Sequence, residues 1–478
     1  MKYFNLIKPA ALLLSFIIII SALSGCTVKK GLDGNGLETA GQSVSDPDKT
    51  DGAGADTDSE VVSAEDGNGN DEEQEENVIP VFVQSNISEN AVKWIENYKE
   101  GGHDGDSVIL SYDEIKNFNE LLVSECEYIV DILNMPESVS CSELKSKILS
   151  SGYPSLPKYD DSGNEITYDM LESILENRNA ETLKDGESKA LKYGIVVQRA
   201  NLRTIPTDTA FFDNSSQKYY DRIQETEVVC GSPVWIMHES ADSLFYYVQS
   251  YNYAGWVSVA DIAVVNDKDT WLEFASPEEF AVVTETLVNV SAAELITDIK
   301  LDMGVRLPIE KCSADSFSVK LPARRADGSL YTAYAEISSS AASYGYIPYT
   351  VNNFYIQAFK YEGAEYGWGG MYDSVDCSGF VCAVMRSFGF NLPRNAGQQK
   401  DSIGEIINLS GIGQSEVELK LSGINTPAAV YKPGHVMLYL GEYEGQYCII
   451  HSPQGGEIVC EAVLDTSASN LMNVNLIK

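Results

Sequence analysis

Histidine is scarce in this chain, with four in 478 residues, so chemistry that needs an imidazole base has few places to sit. Lysine and arginine are also few, 33 against 71 aspartates and glutamates, for a formal net charge of -38. That balance argues against nucleic acid and anionic lipid surfaces, whose phosphates demand cations. No nucleic-acid partner is expected. The nine cysteines contain no CxxC pair, so neither zinc-knuckle spacing nor a disulfide framework is implied, and no metal or cofactor is expected. A Cys448–Cys460 bridge stays open. The apolar run at residues 10–20 is too short for a permanent membrane span.

What is present begins with an address. Lys2 and Lys8 flank that apolar run, and Leu23-Ser24-Gly25-Cys26 follows it, a secretory-signal pattern whose ending resembles a bacterial lipobox. Residues 1–25 are therefore read as a lipoprotein signal peptide and Cys26 as the lipid-modified residue. The expected location is extracytoplasmic, lipid-anchored to a bacterial membrane. Residues 26–80 are acidic, Gly- and Ser-rich and nearly free of aromatics, the composition of a disordered tether. Residues 81–190 read as a helical N-terminal region, with candidate helices at 89–100, 112–133, 141–150 and 168–178 and no evident chemistry. His103 falls in a glycine-flanked turn, and an exposed, unemployed ring is expected there.

From residue 191 the pattern changes to short alternating runs at 196–203, 228–237, 245–250 and 254–258, separated by turn residues, as in a small β-barrel. Asn201-Leu-Arg-Thr-Ile-Pro206, Gly231-Ser-Pro-Val-Trp235 and Gly255-Trp256-Val257 resemble a bacterial SH3-like domain, placed at 191–270. His238, on one of these strands, reads as structural. Runs at 301–308 and 331–337 suggest a second such domain at 271–346.

The last segment, 347–478, carries the chemistry. A glycine-rich turn, Tyr366-Gly-Trp-Gly-Gly, leads to Asp376-Cys377-Ser378-Gly379, after which Phe380, Val381, Val384, Met385 and Phe388 recur at helical spacing. Cys377 is thus placed at a helix N-terminus, where free N–H groups and the helix dipole favour a thiolate. Gly389 is expected to end the helix. Downstream, two apolar runs flank Gly-Glu-Tyr-Glu-Gly and predict a hairpin. A turn centred on Tyr443 makes His435 and His451 direct cross-strand neighbours, roughly 5 Å apart at Cβ. Cysteine chemistry needs a base and a group to orient that base; His435 fits the first role and His451 the second. A zinc site on the same three side chains lacks a fourth ligand.

These segments, with Leu392-Pro393-Arg394, Gln398-Gln399 and Tyr439-Leu-Gly, resemble the NlpC/P60 family of papain-like cysteine peptidases. The resemblance implies an α+β papain-like catalytic domain behind two small β-barrel SH3-like domains and the helical N-terminal region. It implies Cys377 as nucleophile, His435 as base and His451 as third member. The bond expected to be cut is the γ-D-glutamyl to diamino-acid amide of peptidoglycan stem peptides or muropeptides. Asp376 and Ser378, with Tyr366, are expected at the substrate's amino end. One departure stands out: Lys432-Pro-Gly runs straight into His435, so either residues 427–431 form the preceding strand or the loop is shortened. The rival expectations are a non-catalytic wall-binding lipoprotein and another papain-like amidase or acyltransferase.

Overall fold

The computed structural model describes residues 79–80, 82–402, 404–464 and 470–478, which lie within one compact unit, Glu73–Lys478. The signal peptide, Cys26 and nearly all of the tether fall outside the described residues. No described helix is long and apolar enough to cross a membrane.

Four helices open the described chain: α1 (Glu89–Glu100), α2 (Tyr112–Glu125), α3 (Cys141–Ser150) and α4 (Tyr168–Glu176). Each starts where a hydroxyl can satisfy a free N–H, with Ser88, Ser111, Ser140 and Thr167 as N-caps; Ser111 and Glu114 complete a capping box. The expected helix at 112–133 stops at Glu125. Cys126 turns extended there, so that Cys126 and Ile129 enter a core and Val130 N–H reaches the Tyr251 carbonyl at 2.7 Å. The region is divided between two partners. Ala91, Trp94, Ile115 and Leu122 join the core of the C-terminal segment, whereas Cys141, Leu144 and Ile148 pack with Met237, Tyr247 and Trp256. Leu171 packs with Ile205, Phe211 and Ile223.

Residues 192–265 form a seven-stranded antiparallel sheet in the order Gln224–Val228, Ala200–Arg203, Ala254–Ser258, Phe245–Gln249, Pro233–Glu239, Lys192–Val196, Ile262–Val265. Two runs expected as single strands are each broken. Gly231 at φ +79° turns the chain between Val228 and Pro233, and residues 197–199 interrupt the other run, freeing Arg199 to bond elsewhere. His238 is buried, with Nδ1 2.8 Å from Lys189 Nζ and Nε2 3.2 Å from the Asn179 carbonyl, a satisfied structural histidine. After α5 (Lys268–Ala275) comes a five-stranded antiparallel sheet ordered Leu330–Ser338, Ser316–Arg324, Arg306–Cys312, Phe280–Val283, Ala342–Tyr344, with a separate hairpin, Leu287–Val290 and Ile299–Asp302. The run expected at 301–308 spans two of these strands, because Gly304 at φ +78° makes a turn inside it.

The C-terminal segment has α6 (Val351–Phe359), α7 (Cys377–Arg386), α8 (Ala396–Ser402) and α9 (Gln414–Leu421) around a six-stranded antiparallel sheet. Its order is Glu405–Asn408, Asn473–Leu476, Ala428–Lys432, His435–Tyr443, Gln446–His451, Val459–Ala462. Alternation sorts the strand residues between two cores: Val436, Leu438 and Leu440 share one with α6 and α7, Met437 and Tyr439 the other with α9. The strand before His435 is Ala428–Lys432, joined to it by Pro433-Gly434 with Gly434 at φ +72°, so the loop is a tight two-residue turn.

Candidate active site

The glycine turn is built to lie against the seven-stranded sheet. Gly369 and Gly370 adopt φ +54° and +84°, and a Cβ on Gly370 would come 2.4 Å from Glu227 Oε2. A side chain at Gly370 is therefore excluded on two counts. The contact is bonded in both directions: Trp368 Nε1 donates to the Gln224 carbonyl at 3.0 Å and Gln224 Nε2 donates to the Gly369 carbonyl at 2.9 Å. The strand Gln224–Val228 thus forms one wall beside the turn.

Asp376 caps α7, accepting from Gly379 N–H at 2.8 Å, and Cys377 is the first residue of the helix. The last turn ends at Arg386, and Gly389 follows at φ +98°. The thiol of Cys377 is almost wholly buried and faces the Val436 N–H, one residue past His435. Burial first, and then the Asp376 charge, push it up to about 11. Burial therefore acts against the thiolate that the helix end favours. Loss of hydration and a carboxylate next in the chain outweigh the dipole and the Val436 N–H, which act the other way.

The histidine pair forms, though by a different register from the one expected. The hairpin turn is Glu444-Gly445, with φ +49° and +78° between paired Tyr443 and Gln446, and Leu440 is a bulge. The later turn and the extra residue displace the register by a net two positions, so His435 lies diagonal to His451 instead of opposite. An even offset keeps both on one face. His435 Nε2 is 2.7 Å from His451 Nδ1, with ring centroids 5.0 Å apart at 76°. Nε2 of His435 is therefore committed, and Nδ1 is the nitrogen left for a proton acceptor's role. Burial, then the neighbouring His451 and Lys432, bring His435 down to about 3. Burial thus acts against charge on both the thiol and the imidazole.

A consequence is measurable. Alkylation of Cys377 by iodoacetamide, followed by peptide mass spectrometry, should rise about tenfold per pH unit from 7 to 10, as expected for a thiol titrating near its raised value. A plateau already reached below pH 7 would mean a preformed thiolate.

Asp376 and Ser378 are less available than expected. Asp376 Oδ1 accepts from Gly379 N–H, Arg394 Nη1 at 2.9 Å and Ser378 Oγ at 3.2 Å, and Oδ2 accepts from Arg394 Nη2 at 2.7 Å and Gly369 N–H at 3.0 Å. Burial alone would raise this carboxyl, but the Arg394 charge and its bonds hold it below the usual carboxylate range. With its lone pairs occupied and Ser378 Oγ also accepting from Arg394 at 3.0 Å, the pair fixes the helix start and leaves little for a substrate amine. Tyr366 stands beside them, its hydroxyl raised by burial and by Asp376 and Cys377, its ring 6.2 Å from Tyr220. Tyr220 also meets Trp368 at 5.6 Å, and Arg222 lies over both rings.

Two participants, Glu461 and Glu225, were not found from sequence, and a third, Arg394, was read as part of a motif without a role. Glu461 Oε1 lies 2.8 Å from His451 Nε2, off the line of a ring N–H bond. Arg394 is fully buried between Asp376 and Glu227, whose Oε2 is 3.5 Å away. Glu225 is half-buried on the wall strand and takes the Tyr253 hydroxyl; desolvation raises its carboxyl against that bond and the Arg394 charge. Cys448 and Cys460, which could have formed a bridge, are both free thiols.

Residues 363–473 match the NlpC/P60 family model and residues 210–258 that of the SH3 domain, SH3b1 type. A gamma-D-glutamyl-L-lysine dipeptidyl-peptidase of Bacillus cereus is 23% identical over 251 residues, 48% of this chain and 67% of that protein. A solved NlpC/P60 endopeptidase from Photobacterium damselae subsp. piscicida superposes with TM-score 0.65 at 20% identity, covering 84% of this chain and 99% of that one. A crystal structure of an NlpC/P60 family protein from Bacillus cereus gives TM-score 0.45 at 14% identity over 60% of this chain and 99% of that one. The C-terminal part of this chain is thus similar to the NlpC/P60 family, and the segment ahead of it to SH3b1-type domains.

Proposed function

We propose that the protein is a cell-wall cysteine endopeptidase that hydrolyses the γ-D-glutamyl to diamino-acid amide bond of peptidoglycan stem peptides or muropeptides. The observation that carries this reading is the His435–His451 pair beside a cysteine at a helix N-terminus. His435 Nδ1 takes the Cys377 proton as sulfur attacks the carbonyl carbon. The Cys377 N–H, in the first turn of α7 and without a helical partner, donates to the oxyanion, an interaction class worth about 3 kcal/mol. The imidazolium, steadied by His451, protonates the leaving amine. Water, deprotonated by the same ring, then releases the acyl group from sulfur.

The choice of bond draws support from the name of the Bacillus cereus relative and from the acid-lined wall. With Asp376 and Ser378 committed to Arg394, Glu225 and Tyr253 are the better candidates for a substrate's free amino end. Residues 271–346 are read as a second SH3-like domain, and both barrels as closed. Lipidation at Cys26, and with it an extracytoplasmic, membrane-anchored location, belongs to the same proposal and rests on the sequence of residues 1–26.

The test is product analysis by mass spectrometry on L-Ala-γ-D-Glu-diamino-acid tripeptide and on defined muropeptides. Release of L-Ala-D-Glu from the tripeptide is expected. Wall binding with no released peptide would replace the reading with a non-catalytic binder, and a cut at another amide would reassign the bond.

A further inference from the structure

We propose that Glu461 is a positioning residue of this site, holding His451 as the tautomer protonated on Nε2 so that its Nδ1 can accept from His435. The inference rests on the roles proposed above for Cys377 and His435. A neutral imidazole carries one N–H, and the 2.7 Å contact between His435 Nε2 and His451 Nδ1 has room for one proton. If that proton sits on His451, His435 must carry its own on Nδ1, where the thiol proton is to be received, and the base is blocked. If it sits on His435 Nε2, then Nδ1 of His435 is bare, Nδ1 of His451 is bare, and the His451 proton is on Nε2. Something must favour the second arrangement.

Glu461 meets that need. The strand Val459–Ala462 pairs His451 with Val459 and Ile449 with Glu461, which sets Glu461 diagonal to His451 on the same face. Its Oε1 reaches 2.8 Å from His451 Nε2. His451 is 3% exposed and its Nε2 has no aligned hydrogen-bond partner among the described residues, so a carboxylate beside it selects where the ring proton goes. The charges facing His451 are Glu461, which favours its protonated form, and Lys432, which opposes it, with His435 as the third titratable neighbour. The carboxylate is 39% exposed, so it acts from the rim and its replacement leaves the core intact.

Selective ¹⁵N-histidine labelling of the full chain gives spectra from only four residues, and ring nitrogen shifts report the tautomer directly. Wild type should show His451 protonated on Nε2. In Glu461→Ala that population should fall, kcat on the tripeptide should drop about tenfold with KM unchanged, and the acid limb of kcat should move to lower pH, because a group favouring imidazolium is gone. Glu461→Gln, which keeps an acceptor, should recover the tautomer but not the limb. Unchanged ring shifts and an unchanged pH profile in Glu461→Ala would overturn the proposal. Should wild type and variant show the expected tautomers while neither cleaves the tripeptide, the positioning role is supported and the cleavage reading is the one that fails.

Discussion

Cys377→Ala should lose at least about 10⁴-fold in tripeptide hydrolysis while its thermal unfolding stays close to wild type, since nucleophile removal of this kind typically costs about 10⁶ in kcat. The thiol is buried beside a rigid helix start, and a methyl group fits the same space. His435→Ala should fall to within about tenfold of that variant, because a nucleophile and its base act as one unit. His451→Asn should be milder, a loss of about ten- to a hundredfold, as an orienter at 2.7 Å from His435 Nε2 needs only to accept a hydrogen bond. Equal losses for His435→Ala and His451→Asn would argue that His451 does more than orient. Turnover by Cys377→Ala equal to wild type would remove the nucleophile assignment altogether.

The second large effect is on stability. Arg394→Met should destabilise the fold by about 3–5 kcal/mol, the range for breaking a buried ion pair from one side. Arg394 donates to both Asp376 oxygens, to Ser378 Oγ and, through Nε, to Thr226 Oγ1 at 2.6 Å, so it ties the start of α7 to the SH3b1-type domain. The pH dependence has a definite sign. With Arg394 present, the folded Asp376 sits below its unfolded value, so its stabilising contribution is full above about pH 4 and is lost as pH falls through the folded value. In Arg394→Met the same buried carboxyl is left with the desolvation that raises it, and its contribution reverses: present in acid, lost as pH rises. The gap between the two proteins in denaturant titrations should therefore be widest near pH 7 and narrow toward pH 3. A gap that is constant with pH would mean that Arg394 acts through packing and not through Asp376.

What could be read from sequence follows the range of the interactions involved. The capped helix at Cys377 is a local matter of Asp376 and apolar spacing, and it was legible. The histidine pair was legible as two rings on one hairpin, but its register was not. A type I′ turn at Glu444-Gly445 and a bulge at Leu440 each move the pairing, and neither leaves a distinctive mark among so many Gly, Glu and Tyr residues. Glu461 lies on the strand after His451, across a loop of unreadable register, and Glu225 is 28 residues from its partner Tyr253, so no local pattern distinguishes them from the other acids in a chain with 71 aspartates and glutamates. The burial that opposes a thiolate was hidden for a related reason. A helix end is visible in sequence, whereas the degree of burial that opposes it is set by the packing of the whole domain.

The division of the N-terminal helices has a mechanical corollary. Gln84 Nε2 donates to Asn353 Oδ1 at 3.1 Å, Trp94 packs on Tyr355 and Tyr443, and Asn97 Nδ2 donates to the Glu442 carbonyl at 2.8 Å. A pull on the chain at Phe82 is thus delivered through α1 to α6 and to the strand His435–Tyr443, whose first residue is the proposed base. The SH3b1-type domain meets the C-terminal segment elsewhere, at the glycine turn and at Arg394.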